Sequence, residues 1–399
     1  MGLKALDLFC GMGGLSWGLK STRKIEPIWA VDNCQTALNL YELNLPKTNL
    51  LNLDLSRQLD VTSLIEKINF NGGIDLMVGG SPCQGFTQIR NGQDLTSNPN
   101  NNFAITFAKI VKALNPIAFI YENVPQIETY KVFKDFLAEF ERDKKYKISY
   151  RVLEAVNFGN PSRRSRLFVV GFRSNLGRIP NIPTGLDISP RQFWLKRKEQ
   201  DGNIFYLSGL SEPWYSLLLE PNNCQLVNVE QAISDLPVLT TKTIGITRSY
   251  ASSPRSIYQK WSRQDIIETD GHVVPQMRPE TRKRLKEIVE GGNWRDLPEA
   301  LTYKIPYKLN SGKLRRNHYS AYRRLLSKGH SPTVQGHSDF AYHYAYERSL
   351  TPRELARLMS FTDDYKLGHQ YYPVVKAIGN AVPPIVSKAV ALSLVEQLE

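Results

Sequence analysis

The sequence is poor in cysteine, and what it has is scattered: Cys10, Cys34, Cys83 and Cys224 are the only four among 399 residues, with no Cys-x-x-Cys pair. That spacing excludes the common structural zinc modules and a disulfide scaffold, and it fits thiols kept reduced. Histidine is scarce as well. All six (His272, His318, His330, His337, His343, His369) fall in the second half. None is near Cys83 in sequence, which disfavours a Cys-His protease, and His330, His337 and His343 lack the companion cysteine or carboxylate set of a metal site, so no metal is expected. No apolar run approaches the roughly 18 residues of a membrane span. The start, Met1–Cys10, lacks the basic-then-apolar layout of a secretory signal, so the expectation is a cytosolic protein with no membrane partner. Internal repeats and low-complexity tracts are absent.

What is present is ordinary globular material, 41% hydrophobic and 22% charged, in a length that suits one large domain with an insertion or two unequal domains. The charge is not ordinary. A formal net charge of +13 is concentrated in residues 160–350, which carry 29 Lys and Arg against 17 Asp and Glu, whereas 1–159 carry 17 against 16. Blocks such as Arg282-Lys283-Arg284, Arg315-Arg316 and Arg323-Arg324 lie among Trp294, Tyr303, Tyr307, Tyr319 and Tyr322. Such a mixture suits a phosphate backbone and exposed bases; a solvated basic face is the plainer alternative.

Short apolar runs alternate with amphipathic stretches through the first half, the pattern of a parallel sheet with helical crossovers. Strands are expected at Leu3–Phe9, Pro27–Asp32, Leu50–Leu53, Asp75–Gly79, Ile117–Glu122, Ile148–Val156 and Leu167–Phe172. Helices are expected at Leu15–Lys20, Cys34–Leu43, Phe103–Leu114 and Val132–Arg142. From Pro180 to about Phe340 this rhythm stops, and Pro, Ser, Asn and Tyr mark a second, irregular domain whose longest helix is expected at Pro279–Glu290. Thr351-Pro352-Arg353-Glu354 is a capping box that opens a helix over Pro352–Ser360, and a last helix runs over about Ile385–Leu398.

Three places carry chemistry. The turn Phe9-Cys10-Gly11-Met12-Gly13-Gly14 follows a strand and opens a helix, where bare backbone can approach a ligand closely. Asp32, about 21 residues after Gly11, and Asp54 end the next two strands, where carboxylates can accept ribose hydroxyls, so a ribose-bearing cofactor is expected. A nicotinamide is disfavoured because Ser16 stands where the dinucleotide fingerprint wants its third glycine. Next, Gly79-Gly80-Ser81-Pro82-Cys83-Gln84 lies just past a strand at the sheet's carboxyl edge, and a thiol there can be held as the nucleophilic thiolate; a small buried hydrophobe is the commoner fate of a lone cysteine. Glu122, in Tyr121-Glu122-Asn123-Val124, emerges at that same edge, where a partly buried carboxyl can pass a proton to a ring nitrogen as a nucleophile adds. Arg163, Arg164 and Arg166 crowd the start of the last strand and suit a phosphate or a polar base edge.

The ordered set Asp7–Gly14, Pro82-Cys83-Gln84, Glu122-Asn123-Val124, Arg164-Ser165-Arg166, Arg353–Phe361 and Gly379-Asn380-Ala381-Val382-Pro383 resembles the C5-cytosine DNA methyltransferase family, over about 1–172 and 340–399. The resemblance implies a Rossmann-like S-adenosylmethionine-dependent methyltransferase domain with a mostly irregular target-recognition domain inserted before the C-terminal helices. It implies boundaries of 1–178 for the catalytic domain, 179–340 for target recognition and 341–399 for the return. The activity implied is methyl transfer to carbon 5 of a cytosine swung out of duplex DNA, with S-adenosylhomocysteine as coproduct. By the same resemblance Cys83 is the nucleophile, Glu122 engages cytosine N3 and its amine, Asn123 shapes the cysteine loop, and Arg164 and Arg166 hold the flipped nucleotide. Phe9, Gly11, Gly14, Asp32, Asn33, Asp54, Leu55, Pro82 and Asn380 fall at cofactor positions.

There are departures from the family pattern. Asp32 replaces the usual glutamate, Ser162 the usual glutamine before the arginines and Thr87 a common serine, and an arginine often found ahead of Phe103 is missing from 98–102. A transfer-RNA methyltransferase is the nearest rival, but the Cys-Phe-Thr segment such relatives carry is absent and Cys224 stands in Asn223-Cys224-Gln225. A DNA-binding module without turnover is disfavoured by intact Cys83 and Glu122. The compact length resembles a bacterial or phage modification enzyme, which implies a monomer in the bacterial cytosol, at the nucleoid, paired functionally with a restriction endonuclease.

Overall fold

The computed structural model describes residues 2–82, 102–185, 226–239, 247–302, 322–338 and 340–399. Cys83, Thr87, Cys224, Tyr303, Tyr307, Arg315, Arg316 and Tyr319 lie outside the described residues. The chain forms two compact units. The first comprises Met1–Phe158, Ser165–Ser211 and Ala381–Glu399, and the second Gly159–Arg164 and Glu212–Asn380. The first unit therefore takes back the chain only at Ala381, forty residues later than the expected 341.

The first unit opens with β1 (Leu3–Leu8), α1 (Gly14–Ser21), β2 (Ile25–Asp32), α2 (Gln35–Asn44), β3 (Asn49–Asn52), α3 (Gln58–Phe70) and β4 (Leu76–Gly80). It continues with α4 (Phe103–Leu114), β5 (Ala118–Asn123), α5 (Lys131–Glu141), β6 (Tyr146–Glu154) and β7 (Ser165–Arg173). These seven strands form one sheet in the order β3-β2-β1-β4-β5-β7-β6. All six residues of β5 are buried, the mark of a central strand covered on both faces. Strands β1 to β5 pair in parallel, as the alternation of apolar and amphipathic segments predicts. The last two strands do not: β7 runs antiparallel to both β5 and β6. No helix of a parallel crossover separates β6 from β7, so the chain can only double back.

Helix α3 was not expected from the sequence. Its buried residues Val61, Leu64 and Ile68 follow a helical period, but Leu59 and Phe70 are 83% and 90% exposed and blur the apolar stripe. Helix α4 buries Phe103, Phe107, Ile110, Val111 and Leu114 and stops where Asn115 turns left-handed at φ 48°.

The second unit contains α6 (Val229–Ile233), β8 (Arg248–Ser249), α7 (Ile257–Arg263), β9 (Glu268–Thr269), α8 (Pro279–Glu287), α9 (Glu299–Thr302), α10 (Pro352–Leu358) and α11 (Tyr372–Asn380). Little of its described chain is regular, as its composition indicates, and buried ion pairs do much of the organising. Arg348 reaches Glu354 with two hydrogen bonds of 2.7 and 2.8 Å, Arg353 holds Asp270 at 2.5 Å, and Arg357 joins Asp363 and Asp235. These contacts, together with α10 packing on α6, place the capping-box helix in the second unit and explain why 341–380 groups there. Helix α8 ends three residues before the expected Glu290, because Arg324 captures the carbonyls of Leu285 and Ile288 at 3.0 Å each and Ile288 turns into a small core. Arg324 and Arg284, the latter bound to the Leu301 carbonyl and the Tyr322 hydroxyl, are thus structural rather than part of an open basic face.

The final helix, α12 (Pro384–Leu398), returns to the first unit and lies against α1. Glycine is required there, since a Cβ on Gly14 would come within 2.3 Å of the Val382 carbonyl oxygen. The stretch Tyr372–Leu398 corrects the expectation about apolar runs: it is long and apolar enough to cross a membrane by composition. A proline-bearing break at Ala381–Pro383 divides it into α11 and α12, and 89% of its most apolar window is buried, which marks core helices.

Candidate active site

The order of strands makes a switch point between β1 and β4, from which the chain moves outward in opposite directions, and open α/β sheets hold ligands in the crevice at that point. The glycine turn sits there. Phe9 takes φ 57°, a left-handed conformation that costs a bulky residue about 1–3 kcal/mol, and Gly11 and Gly13 follow at 53° and 88°. The turn is tied to β2 by Cys10 N–H donating to Val31 O at 3.0 Å and by Gly11 N–H donating to Asp32 Oδ2 at 2.8 Å. The other oxygen of Asp32 accepts from Cys34 N–H at 2.8 Å.

Below the turn is a buried set that sequence reasoning missed. Ser16 Oγ donates to Asp7 Oδ2 at 2.6 Å and accepts from the Tyr41 hydroxyl at 2.8 Å, while the Tyr41 ring lies so close to Gly13 that a Cβ there would meet it at 2.8 Å. Ser16 therefore has its own task in the place of the missing third glycine. Burial pushes the Asp7 carboxyl up to about 7, with Ser16 pulling the other way and Asp32 adding to the rise. The signal for this set was a Ser and a Tyr spaced to face one strand acid, which periodicity alone does not single out.

The remaining expected cofactor positions are distributed as follows. Asp54 follows β3, accepts from Ser56 N–H at 3.0 Å, and is held by its own N–H on Asp60 Oδ2 at 2.9 Å. Asn33 is exposed beside Asp32, Leu55 is buried in the hydrophobic core, and Pro82 follows β4. Asn380 belongs to the second unit, exposed at the end of α11. A nucleoside sulfonium fits the first-unit set: a Cβ on Gly11 would meet nothing within 4 Å, and each oxygen of Asp32, half-buried at the end of β2, accepts one backbone N–H and keeps capacity for a further donor.

Register brings the other group together. Gly80 on β4 stands opposite Glu122 on β5, and the Glu122 carboxylate lies over it, so that a Cβ on Gly80 would be 2.6 Å from Oε2. Because β7 is antiparallel, its first residues lie at the carboxyl end of β5, and Arg166 Nε comes within 2.9 Å of Glu122 Oε1. Arg166 also donates to the Ser165 carbonyl at 2.7 Å. The segment that leads to Cys83 is fastened from beneath: the Asn123 amide donates to Ser81 Oγ at 3.0 Å and Tyr121 OH at 2.8 Å, and those two hydroxyls are 2.7 Å apart. Asn123 Oδ1 accepts from Val124 N–H at 2.8 Å. Arg164 belongs to the second unit, where it is buried and donates to Val334 O at 3.2 Å.

A glycine turn at the switch point, an acid at the end of β2 and an antiparallel β7 set between β5 and the edge strand β6 define the fold of the S-adenosylmethionine-dependent methyltransferases. The family model for C-5 cytosine-specific DNA methylases matches residues 3–396, and the chain belongs to that family. As a member it is a DNA cytosine-5 methyltransferase. It is 27% identical over 402 residues to the Type II methyltransferase M1.HphI of Haemophilus parahaemolyticus, covering 98% of this chain and 86% of that one. It is 28% identical over 407 residues to M.DdeI of Desulfomicrobium norvegicum, covering 98% and 88%. A solved E. coli structure of a prophage-encoded DNA modification methyltransferase superposes with a TM-score of 0.70 at 23% identity, over 100% and 99% of the two chains, and supports the fold.

Proposed function

We propose that the protein methylates carbon 5 of a flipped-out cytosine at a fixed sequence in duplex DNA, with Cys83 as covalent nucleophile and S-adenosylmethionine as donor. The observation that carries this reading is the Glu122–Arg166 pair seated over Gly80, three residues before Cys83. The Cys83 thiolate would form a bond to cytosine C6, moving the ring's π electrons toward C5 and N3. Glu122, oriented by Arg166, would in its protonated form donate to N3 and accept from the exocyclic amine, and so stabilise the adduct as charge develops. When bound, the cofactor supplies a methyl group on a positively charged sulfur, the electrophile for C5. Loss of the C5 proton to a base and cleavage of the S–C6 bond restore the aromatic ring and the thiolate. Phe9, Gly11, Asp32, Asp54 and Pro82 would hold the cofactor at the switch point, and Asn123, through Ser81 and Tyr121, would fix the approach to Cys83.

The second unit would supply target recognition; Arg164 would help hold the flipped nucleotide and Asn380 would contact the cofactor. The Type II names of the bacterial relatives support a modification enzyme of a restriction system; we propose that it acts as a monomer on cytosolic DNA beside an endonuclease of matching specificity. Expression in a host without cytosine methylation, followed by bisulfite sequencing, tests this: protected cytosines within one recurring motif are expected. No protected DNA cytosine, or protection confined to RNA, would overturn it.

A further inference from the structure

Asp7 is a buried carboxyl on which no cation acts among the described residues. It lies on β1, two residues before Phe9 opens the glycine turn, and is 1% exposed. Its neighbours in register, Ala30 on β2 and Val78 on β4, are apolar. Ser16 Oγ donates to Asp7 Oδ2 at 2.6 Å, and Tyr41 OH donates to that Ser16 oxygen at 2.8 Å, so the bonds run one way, from Tyr41 through Ser16 to the carboxyl. Oδ1 meets no hydrogen-bond partner among the described residues. The titratable groups that face Asp7 there are Asp32 from β2, Cys10 from the turn and Tyr41 from α2. Burial pushes the Cys10 thiol and the Tyr41 hydroxyl well up, which keeps both neutral, and leaves Asp32 as the charge facing Asp7. Burial pushes the Asp7 carboxyl itself up to about 7; the Ser16 bond pulls it down and Asp32 adds to the rise.

We infer that Asp7 reads the charge of the ligand at the glycine turn: it gives its proton to solvent when the cationic S-adenosylmethionine binds, keeps it when the neutral S-adenosylhomocysteine binds, and so favours donor over coproduct. This rests on the reading of the protein as a methyltransferase and of the turn as the cofactor's seat. The two ligands share an amino acid, a ribose and an adenine, and differ by one methyl group and the positive charge on sulfur. In a buried site a charge acts beyond contact distance, so a carboxyl beneath the turn responds without touching the ligand. The chain from Tyr41 through Ser16 suits the ionised form, since both hydroxyls already donate toward Asp7 and neither has to turn when the proton leaves. Once methyl transfer removes the sulfonium charge, Asp7 takes a proton back from solvent and the grip on the coproduct weakens. Ser16 and Tyr41 are positioning residues in this device, acting through Asp7 and through the Tyr41 ring against Gly13.

The test is calorimetric titration of the full chain with each ligand, in buffers of equal pH and different ionisation enthalpy, which counts the protons exchanged. For a tenfold change in the acidity of the carboxyl, S-adenosylmethionine should release about half a proton more than S-adenosylhomocysteine at pH 6.5, and the preference for the donor should rise about fivefold from pH 6 to pH 8. An analogue with an ammonium group in place of the methylated sulfur should behave as the donor does, which separates charge from methyl bulk. Asp7→Asn keeps the shape and cannot ionise, so it should lose both the extra proton and the rise. The ligands' own groups titrate in both proteins, and the difference between the two isolates Asp7. Ser16→Ala removes the bond that pulls the carboxyl down, so its extra proton release should persist to higher pH; a merely structural role would weaken binding without moving that window. Equal proton release with both ligands, or extra release that survives in Asp7→Asn, would overturn the inference and leave the methyltransferase reading in place. A full chain that binds neither ligand would overturn both.

Discussion

Arg166 Nε stands 2.9 Å from Glu122 Oε1, joining the first turn of an antiparallel strand to the end of the central one. Both side chains are largely buried, so removing one partner leaves the other charge in a poor solvent, a situation that typically costs about 3–5 kcal/mol. Arg166→Ala is expected to lower kcat/KM by about two to four orders of magnitude. Glu122→Gln should do the same while keeping the shape, and Arg166→Lys should recover part of the loss. Steady-state methyl transfer checks all three.

Asn123→Ala removes the amide that fastens Ser81 and Tyr121, leaving hydroxyls that it had bonded. A stability loss of about 1–3 kcal/mol is expected for the unmet bonds. The sharper expectation is a fall in kcat, because the residues before Cys83 lose their anchor, with cofactor affinity nearly unchanged. Calorimetric titration of the cofactor alongside turnover separates the two.

The two units should respond to pH with opposite sign. Burial, reinforced by nearby arginines, lowers His343 to about 3 and His272 to about 4, against acidic neighbours that pull upward. Unfolded histidines near 6.5 take protons that the folded unit refuses, so its stability falls as pH drops through 6.5. Asp7 is raised to about 7 by burial, so the stability it contributes is complete below about 4 and is lost as pH rises to 7. Asp7→Asn should therefore gain on the unsubstituted protein as pH rises from 4 to 7.5, and His343→Gln should gain as pH falls from 6.5. Urea midpoints followed across pH test both directions.

Arg357→Ala should be among the most damaging changes away from the reacting groups. It takes a cationic partner from Asp363 and Asp235, both buried beside it, leaving Asp235 to Arg263 and Asp363 to Tyr250 and Arg353, and loses the bond to the Ala232 carbonyl. A loss of about 3–5 kcal/mol is expected in denaturant unfolding. Arg357→Ala combined with Asp363→Ala should recover part of it.

Periodicity carried most of the parallel half of the fold: β1 to β5 and the crossover helices α1, α2 and α4 lie within a few residues of the expected places. It missed α3 because Leu59 and Phe70 interrupt its apolar stripe, and α11 because a short apolar helix running into Ala381-Val382-Pro383 reads as part of a loop. It had the last strands parallel, since a run of apolar residues has no direction. At the site, Asp32 and Glu122 were legible as acids at strand ends. Their partners were not, because Gly80 opposite Glu122, and Ser81 within reach of Tyr121 and Asn123, depend on register. The basic middle of the chain was legible as charge, but not its division into buried arginines such as Arg324 and Arg348 and exposed lysines such as Lys283 and Lys286.

The central claim, attack of Cys83 sulfur on cytosine C6, is tested most directly by intact mass after incubation with cofactor and a target duplex containing 5-fluorocytosine. Fluorine at C5 cannot leave as a proton does, so the adduct should persist, adding the mass of the DNA strand and a methyl group to the unsubstituted protein and nothing to Cys83→Ser. An adduct on Cys83→Ser, or active enzyme that forms none, would contradict the account.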